Sequence, residues 1–241
     1  MLGRFLEFSV GAPDIRASFD FYRSLGFLPA EVGEARRYRY AVLTDGRICI
    51  GLHDLADAPT CLTFVKPELI KHLADLERVS GGFTFSRLSS GEFNEIGWSD
   101  PSGNLIRLVE ARTFSPHKPP VDRPTCGYFL EIALPAIDRE QSKQHWERCG
   151  FVGIEEADAP LPSVGCTSDS IDIGLHEPAH IAAPTLRFEV EDLPALRRRL
   201  AALAVPANGR VPAPLHGSAV AITAPEGTLL LVSGPPEPQT H

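Results

Sequence analysis

The sequence predicts an α+β protein made of two similar domains in tandem, each built from two βαβββ modules. Two observations carry this prediction: an internal repeat that relates the two halves of the chain, and the order of strand and helix patterns along each half. A repeat this long indicates paired domains rather than a solenoid, whose units are much shorter.

The internal repeat keeps nearly one register over most of the chain. Residues 21–27, with an aromatic pair and a Gly-Phe end, match residues 145–151, and Glu7 matches Glu131 at the same spacing. The Ile-Gly-Leu-His motif of residues 50–53 recurs at 173–176. The predicted division is a first domain over residues 1–113, a Pro-rich linker over 114–124, a second domain over 125–235 and a tail over 236–241.

The first module shows its elements in order. Residues 5–10 are aromatic-rich and bounded by Gly11 and Pro13, which is typical of a strand. Pro13 and Asp14 begin a helix with one apolar face, and Gly26 ends it where a positive φ is usually needed. A strand pair over residues 28–44, a hairpin turn at Asp45-Gly46 and a returning strand over 47–53 complete the module.

The second module repeats this order. Residues 61–65 predict a strand and residues 68–79 a helix, which Gly81 and Gly82 end. Two strands follow, over residues 83–88 and 92–98. A turn at 100–103 then leads to a closing strand over 104–110.

Composition and charge narrow the classes of function. The chain has 241 residues, 43% of them hydrophobic and 22% charged, which suffices for two modest cores. Its net charge of -8, without a basic stripe, argues against nucleic acid or an anionic membrane as a partner. No apolar run reaches the roughly 18 to 20 residues of a membrane span, and no leader is visible, so the sequence predicts a cytoplasmic protein. The five cysteines form no CxxC pair, which predicts reduced, buried thiols.

Four sequence segments together resemble one known superfamily. These are Ala-Pro-Asp-Ile at 12–15, Ser-Phe-Asp-Phe-Tyr at 18–22, Leu-Gly-Phe at 25–27 and Asp-Pro-Ser-Gly-Asn-Leu-Ile-Arg-Leu-Val-Glu at 100–110. They are similar to the vicinal oxygen chelate superfamily, which includes glyoxalase I, bleomycin-resistance proteins and extradiol dioxygenases. The resemblance covers nearly the whole chain. It implies that each pair of modules closes into a cupped mixed sheet whose inner face holds a divalent metal.

The resemblance also implies which positions bind the metal. Carried onto this chain, they fall on Glu7, Cys61, Arg107 and Ile50 or Gly51 in the first domain, and on Glu131, Thr185, Leu231 and Ile173 or Gly174 in the second. An open catalytic site needs at least three donors, so the sequence predicts that the usual metal site is missing. A divalent metal cofactor stays open, with Glu7, His53, Glu131 and His176 as weak candidate ligands.

Strand alternation suggests how these polar residues are used. Phe5, Glu7 and Ser9 are expected to share one face, so Glu7 and Arg107 would face the same space. In the second domain Arg187 is expected to meet Glu131. Three interpretations follow: an internal ion pair in a vestigial metal site, an Arg107 that binds an acidic or carbonyl ligand beside a general base Glu7, and a metal site with unexpected donors.

Further residues are candidates for lining a pocket. Cys61 is either a reactive or metal-binding sulfur or an inert buried thiol. Tyr38, Tyr40, Phe93 and Trp98 supply aromatic lining for a planar ligand. His53 and His176 are expected to be strand-end histidines at the surface beside a carboxylate, or else spare ligands. Arg36, Arg37 and Arg39 are expected either to rim a pocket or to lie on a solvated strand.

These observations favour a small-molecule-binding protein with its working pocket in the N-terminal domain, since the closing strand of the second domain is apolar. The alternative is a divalent-metal-dependent lyase or isomerase of the glyoxalase type, acting on a small carbonyl metabolite. A third interpretation is a scaffold that associates with another protein. Extradiol dioxygenase activity is disfavoured because the His, His and Glu set that the resemblance implies for it appears in neither domain. The expected state is a monomer with paired domains or a loose homodimer.

Overall fold

Two mixed β-sheets, one of eight strands and one of seven, dominate the computed structural model, which describes residues 2–32, 38–56, 58–89, 94–111, 116–117, 124–154 and 161–235. For residues 31, 32, 116 and 117 it describes the backbone alone. Helices pack on one face of each sheet. The α+β class and the two similar domains in tandem are therefore confirmed.

The elements of the first sheet and its helices come first along the chain. They are β1 (Arg4–Gly11), α1 (Ile15–Ser24), β2 (Leu28–Pro29), β3 (Glu31–Val32), β4 (Tyr40–Thr44), β5 (Cys49–His53), β6 (Cys61–Val65), α2 (Leu73–Ser80), β7 (Phe85–Arg87), β8 (Glu95–Ser99) and β9 (Leu105–Val109). A separate two-stranded ribbon joins β3 to β10 (Pro116–His117).

The second sheet and its helices follow. They are β11 (Tyr128–Pro135), α3 (Arg139–Arg148), β12 (Val152–Gly153), β13 (Ser163–Thr167), β14 (Asp172–His176), β15 (Thr185–Glu189), α4 (Leu193–Ala202), β16 (Ala219–Thr223) and β17 (Leu229–Ser233). A short 3-10 turn, Ala213–Leu215, lies between α4 and β16.

The two sheets share one strand order. The first runs β2-β4-β5-β1-β6-β9-β8-β7 and the second runs β12-β13-β14-β11-β15-β17-β16. In both, the first long strand pairs in parallel with the last strand of its module and antiparallel with the first strand of the next module. Only β7 has no counterpart: the described chain between α4 and β16 holds the 3-10 turn instead, so the last module is βαββ.

Local sequence signals explain where the helices begin and end. The carboxylate of Asp14 accepts a hydrogen bond from the Ala17 N–H at 3.0 Å and caps α1, and Gly26 follows the helix with a φ of 89°. Asp138 and Asp192 cap α3 and α4 in the same way. The helix expected over residues 68–79 is divided into a 3-10 turn and α2.

A β-bulge in the first long strand of each domain changes which residues share a face. The register shifts between Phe5 and Glu7 in β1 and between Phe129 and Glu131 in β11. Phe5 therefore packs in the helix-side core, with its ring 5.5 Å from that of Phe64. The expectation that Phe5 lies on the face of Glu7 is wrong, because a bulge adds one residue and breaks the alternation.

The helix-side faces of the two sheets form one continuous apolar core across the domain boundary. Phe27 contacts Phe188, and Phe64 contacts Phe151, each pair with ring centroids 6.3 Å apart. The Tyr22 hydroxyl also donates to the Glu226 carboxylate of the other domain at 2.6 Å. The two domains thus pack closely within one chain.

Several predictions concern the chain as a whole. All five cysteines are free and buried, as predicted. Among the described residues no helix has the length and apolar character of a bilayer span. Most of the linker 114–124 and all of the tail 236–241 lie outside the described residues, so the exact domain limits stay a prediction.

Candidate functional site

The face of the first sheet opposite the helices carries a group of polar side chains near its centre. We call it the N-terminal cup and define it by Glu7, Ser9, Tyr38, Tyr40, His53, Cys61, Thr63, Glu95 and Arg107. The matching positions of the second sheet form the C-terminal cup: Glu131, Ala133, Leu161, Ser163, His176, Thr185, Arg187, Ala219 and Leu231.

Glu7 lies at the centre of the N-terminal cup and is buried, with 1% of its surface exposed. Its Oε1 accepts hydrogen bonds from Ser9 Oγ at 2.8 Å and from His53 Nε2 at 2.9 Å. Its Oε2 accepts one from the Tyr40 hydroxyl. Because a buried carboxylate is stable only when it is paired and hydrogen-bonded, these contacts explain how β1 tolerates a glutamate.

Burial on its own would raise the pKa of Glu7. The hydrogen bond and electrostatic attraction of His53, with the hydroxyls of Tyr40 and Ser9, outweigh burial and hold that pKa below its ordinary value. Glu7 is therefore ionised at neutral pH, and it places a negative charge at the centre of the cup.

His53 connects Glu7 to a tyrosine closer to the surface. The ring is buried, with Nε2 on Glu7 and Nδ1 3.0 Å from the Tyr38 hydroxyl. The expectation of a surface histidine is therefore wrong. His53 is the last residue of β5, which lies between β4 and β1. Its ring therefore packs on the face of the sheet against Glu7 and does not point to solvent. Tyr38 and Tyr40 both lie on the face of the cup, and their role in lining a ligand pocket stays a prediction.

Gly51 makes room for the Glu7 carboxylate. A β-carbon built on Gly51 would overlap the carboxyl group of Glu7, and one on Gly174 would overlap that of Glu131. The repeated Ile-Gly-Leu-His motif therefore has a physical meaning: the glycine admits the glutamate, and the histidine two residues later binds it. The sequence showed the motif but not this role of the glycine.

Arg107 lies in the cup but contacts a different glutamate from the one expected. Its Nε donates to Glu95 Oε2 at 2.9 Å, and Arg87 Nη1 donates to Glu95 Oε1 at 2.6 Å. Burial raises the pKa of Glu95, but Arg107 and then Arg87 lower it below its ordinary value. The expected Glu7–Arg107 ion pair is wrong, because Glu95 on the adjacent strand β8 reaches the guanidinium and Glu7 is occupied by His53.

Sequence reasoning missed Glu95, because its place beside Arg107 follows from the pairing register of β8 and β9. In the antiparallel pair β8 and β9, Gly97 lies opposite Arg107. Glu95 is two residues from Gly97 and so shares the face of Arg107. The same alternation removes Trp98 from the cup: it is buried in the helix-side core, and its Nε1 donates to His145 Nε2 at 3.3 Å. The prediction that Trp98 lines the pocket is therefore wrong.

Cys61 is in the cup, but Thr63 is the residue opposite Glu7 in the register. The Cys61 sulfur lies 3.6 Å from Thr63 Oγ1, which in turn donates to Ser9 Oγ at 2.7 Å. Burial raises the pKa of the Cys61 thiol, so it is protonated at neutral pH. This favours the inert thiol among the interpretations of Cys61.

The remaining candidates for the rim of the cup are only partly described. Phe93, Arg36 and Arg37 lie outside the described residues. Arg39 is exposed and its Nε donates to Asp54 at 2.6 Å, which fits a solvated strand.

The C-terminal cup keeps the glutamate and histidine of the N-terminal cup. Glu131 Oε1 accepts hydrogen bonds from His176 Nε2 at 2.8 Å and from Arg187 Nη1 at 2.6 Å, so the expected Arg187–Glu131 contact is confirmed. Burial raises the pKa of Glu131, but His176 and Arg187 lower it below its ordinary value. His176 is fully buried, so the expectation of a surface position is wrong here too.

Apolar side chains fill the rest of the C-terminal cup. The buried cluster on this face consists of Ala133, Leu161, Ile181, Leu215, Ala219, Ala221 and Leu231. Leu215 comes from the 3-10 turn between α4 and β16, and its side chain is fully buried. Side chains of this cluster thus fill much of the space in the C-terminal cup.

The described residues do not fit the divalent metal that the fold family implies. Among them, no group of three or more histidine, cysteine, aspartate or glutamate side chains is placed to share an ion. Glu7 and His53 are two suitable donors in the N-terminal cup, yet they bind each other. Arg107 puts a positive charge at the third position, where a cation would be repelled.

Comparison with solved structures places this geometry among known folds. The chain is similar to a catechol 2,3-dioxygenase with a TM-score of 0.58 and 15% identity, covering 100% of this chain and 91% of that one. It is similar to a 2,2',3-trihydroxybiphenyl 1,2-dioxygenase from dibenzofuran-degrading Sphingomonas wittichii with a TM-score of 0.57 and 10% identity, covering 97% and 91%. For a Mn(II)-bound glyoxalase from Novosphingobium aromaticivorans the values are 0.59 and 14%, covering 97% and 82%.

These likenesses establish the fold alone: two tandem domains of the kind seen in these dioxygenases and in the glyoxalase. At such low identity they carry no activity or substrate to this chain. No protein-family model matches the sequence, and no curated protein matches it.

Proposed function

We propose that the chain is a small-molecule-binding protein. Its working pocket is the N-terminal cup, and binding there does not use a metal. The observation that carries the proposal is the contrast between two cups of the same architecture. Ser9, Tyr38, Glu95 and Arg107 of the first cup correspond to Ala133, Leu161, Ala219 and Leu231 of the second. At these four positions the first cup is polar and the second is apolar, while both cups keep the glutamate and the histidine.

The cost of burying polar groups gives this contrast its weight. A cup that serves only packing is more stable with apolar side chains than with a partly buried arginine and glutamate. The C-terminal cup shows that this fold accepts apolar side chains at the positions of Glu95 and Arg107, while its own Arg187 is paired with Glu131. The polar set of the N-terminal cup therefore supports a role in binding, with Arg107 and the hydroxyls of Tyr38 and Tyr40 as ligand contacts.

The chemistry of the cup suggests the class of ligand. Tyr38 and Tyr40 offer two aromatic rings beside that of His53, with ring centroids 5.8 Å and 4.8 Å away. Arg107 offers a planar guanidinium that suits carboxylate or carbonyl oxygens. A small planar molecule with an acidic or carbonyl group fits these contacts.

The test is a binding screen with a matched pair of variants. A collection of small aromatic carboxylates and carbonyl compounds is screened by ligand-observed NMR and by the shift in melting temperature. The double variant Glu95→Ala/Arg107→Leu gives the N-terminal cup the residues of the C-terminal cup and should abolish binding of any hit. Leu161→Ala changes the C-terminal cup and should leave binding unchanged. A hit that binds equally to the double variant would overturn the proposal.

A divalent-metal-dependent lyase or isomerase of the glyoxalase type remains the second candidate. One observation favours it, the Glu7–His53 pair on the inner face of a fold that the Mn(II)-bound glyoxalase shares. The donor set described above ranks it lower. Elemental analysis of the purified protein separates the two, since a stoichiometric divalent metal would contradict the metal-free part of the proposal.

A further inference from the structure

The N-terminal cup contains a row of three ionisable side chains joined by hydrogen bonds, which we call the relay. It runs from the Glu7 carboxylate to His53, with 2.9 Å between Oε1 and Nε2, and then to the Tyr38 hydroxyl, 3.0 Å from Nδ1. Glu7 and His53 are buried, while Tyr38 is only partly buried. These hydrogen bonds therefore connect a buried carboxylate to the hydroxyl of a partly buried tyrosine.

Glu7 determines which nitrogen of His53 carries the proton in this relay. A carboxylate beside Nε2 favours the tautomer with the proton on that nitrogen, which leaves the lone pair of Nδ1 for the Tyr38 hydroxyl. Ser9 and Tyr40 hold the carboxylate in place with their own hydrogen bonds. This order of groups, a hydroxyl, a histidine and an orienting carboxylate, is the arrangement that activates a hydroxyl for proton transfer.

The C-terminal cup provides an internal comparison. It keeps the pair Glu131–His176, but Leu161 stands at the position of Tyr38, and Nδ1 of His176 has no hydrogen-bond partner among the described residues. The glutamate–histidine pair therefore forms without a tyrosine. Packing of the fold does not require Tyr38, and its hydroxyl is specific to the cup that stays polar.

We propose that Tyr38 is a catalytic acid–base group, positioned by His53 and Glu7, for a small organic molecule with a proton on oxygen or on a carbon next to a carbonyl. This inference rests on the proposed binding role of the N-terminal cup. The Tyr38 oxygen accepts the proton of the substrate as its own proton passes to His53 Nδ1. The imidazolium that forms is stabilised by Glu7, and the reverse transfer returns the proton, so no co-reactant is needed.

The test measures the reactivity of the Tyr38 oxygen directly, with p-nitrophenyl acetate as the probe. In this reaction the Tyr38 oxygen attacks the ester carbonyl carbon, its proton moves to His53 Nδ1, and p-nitrophenolate leaves, which gives acetyl-tyrosine. Peptide mass spectrometry follows acetylation of Tyr38 and of Tyr128 in the same molecule. Tyr128 is more exposed, at 51%, and serves as the internal reference.

The relay predicts that Tyr38 is acetylated about 100-fold faster than Tyr128, the lower end of what general-base assistance contributes. His53→Gln should lower the Tyr38 rate to that of Tyr128, and Glu7→Gln should lower it by a smaller factor. His176→Gln changes the equivalent histidine of the other cup and should leave the ratio unchanged. Because the ratio is measured within one molecule, a general loss of stability does not imitate the effect.

Two results would overturn the relay: equal rates for Tyr38 and Tyr128 in the unchanged protein, or an undiminished Tyr38 rate in His53→Gln. If His53→Gln does not fold, the unchanged protein and Glu7→Gln still decide the matter. The probe needs no bound ligand. A failed binding screen would therefore contradict the proposed function and not the acetylation result. A failed acetylation test would contradict the relay and not the proposed binding role.

Discussion

At the scale of single residues, the site depends on a glycine as much as on the groups that it serves. Gly51 lies in β5 beneath the Glu7 carboxylate, and its Ile-Gly-Leu-His motif recurs around Gly174 beneath Glu131. A carboxylate can lie flat on a sheet only where the neighbouring strand has no β-carbon. The repeated glutamate, glycine and histidine therefore act as one unit.

We expect Gly51→Ala to lower the free energy of unfolding by about 1–3 kcal/mol, because the new methyl group displaces the carboxyl of Glu7. Urea denaturation measures the loss. The control is Gly165→Ala, where the nearest atom to the added carbon is Ile154 Cβ at 3.3 Å, on a half-exposed side chain. A Gly51→Ala variant as stable as this control would contradict the steric account.

The two cup glutamates, Glu7 and Glu131, also predict how stability depends on pH. Glu7 and Glu131 each have a folded-state pKa below the ordinary value of 4.5, although burial opposes this shift, because His53 with Tyr40, and His176 with Arg187, hold the carboxylates charged. The unfolded chain binds more protons in acid, so this stabilisation is complete above 4.5 and is lost as the pH falls through the lower folded-state values.

Urea denaturation at a series of pH values from neutral to below 4.5 measures the effect. Glu131→Gln should reduce the dependence of unfolding free energy on pH in the acid range. Glu140→Gln, at an exposed carboxylate, should leave it as in the unchanged protein. An undiminished dependence in Glu131→Gln would exclude this residue as a source.

At the scale of elements, the sequence predicted most of what local signals determine. The capping Asp14, the terminating Gly26 and the repeat together predicted α1 and the order of modules, because these features need no distant contact. The bulge after Phe5 was not predictable from alternation. The Glu95–Arg107 contact needed the pairing register of β8 and β9, which a single strand pattern does not contain.

The 3-10 turn Ala213–Leu215 was not predicted from the sequence, because the repeat led to the expectation of a strand like β7. The turn carries Leu215 onto the face of the C-terminal cup, where it packs with Leu161 and Leu231. Pro212 and Pro214 are a local signal that disfavours a strand here, because proline has no backbone N–H to donate. The turn and the apolar strand β17 thus act together to fill the second cup.

We expect Leu215→Ala to lower the free energy of unfolding by about 2–5 kcal/mol, since it leaves a cavity in a fully buried cluster. The matched control is Leu203→Ala, at a leucine that is 39% exposed, with an expected change within about 0.5 kcal/mol. Chemical denaturation compares the two. Equal losses would show that Leu215 does not fill the cup.

At the scale of the whole molecule, the two domains are joined by contacts that repeat with the same symmetry as the sequence. Phe27 meets Phe188 and Phe64 meets Phe151, so each contact links the first module of one domain to the second module of the other. The core is continuous across the boundary. The chain is therefore a pair of similar domains with one shared core and two cups of different character.

A shared core predicts that both domains unfold in a single step, because neither can lose its packing without exposing apolar surface of the other. The two tryptophans allow a test, since Trp98 and Trp146 lie in different domains and both are buried. Trp98→Phe leaves a fluorescence signal from the second domain, and Trp146→Phe leaves one from the first. In each variant the fluorescence midpoint in urea should coincide with the midpoint from far-ultraviolet circular dichroism, which reports on both domains.

Phe64→Ala, which weakens the contact with Phe151, should lower both midpoints together. Fluorescence and circular dichroism midpoints that separate in either variant would show two independent units, and the continuous core would then not govern stability.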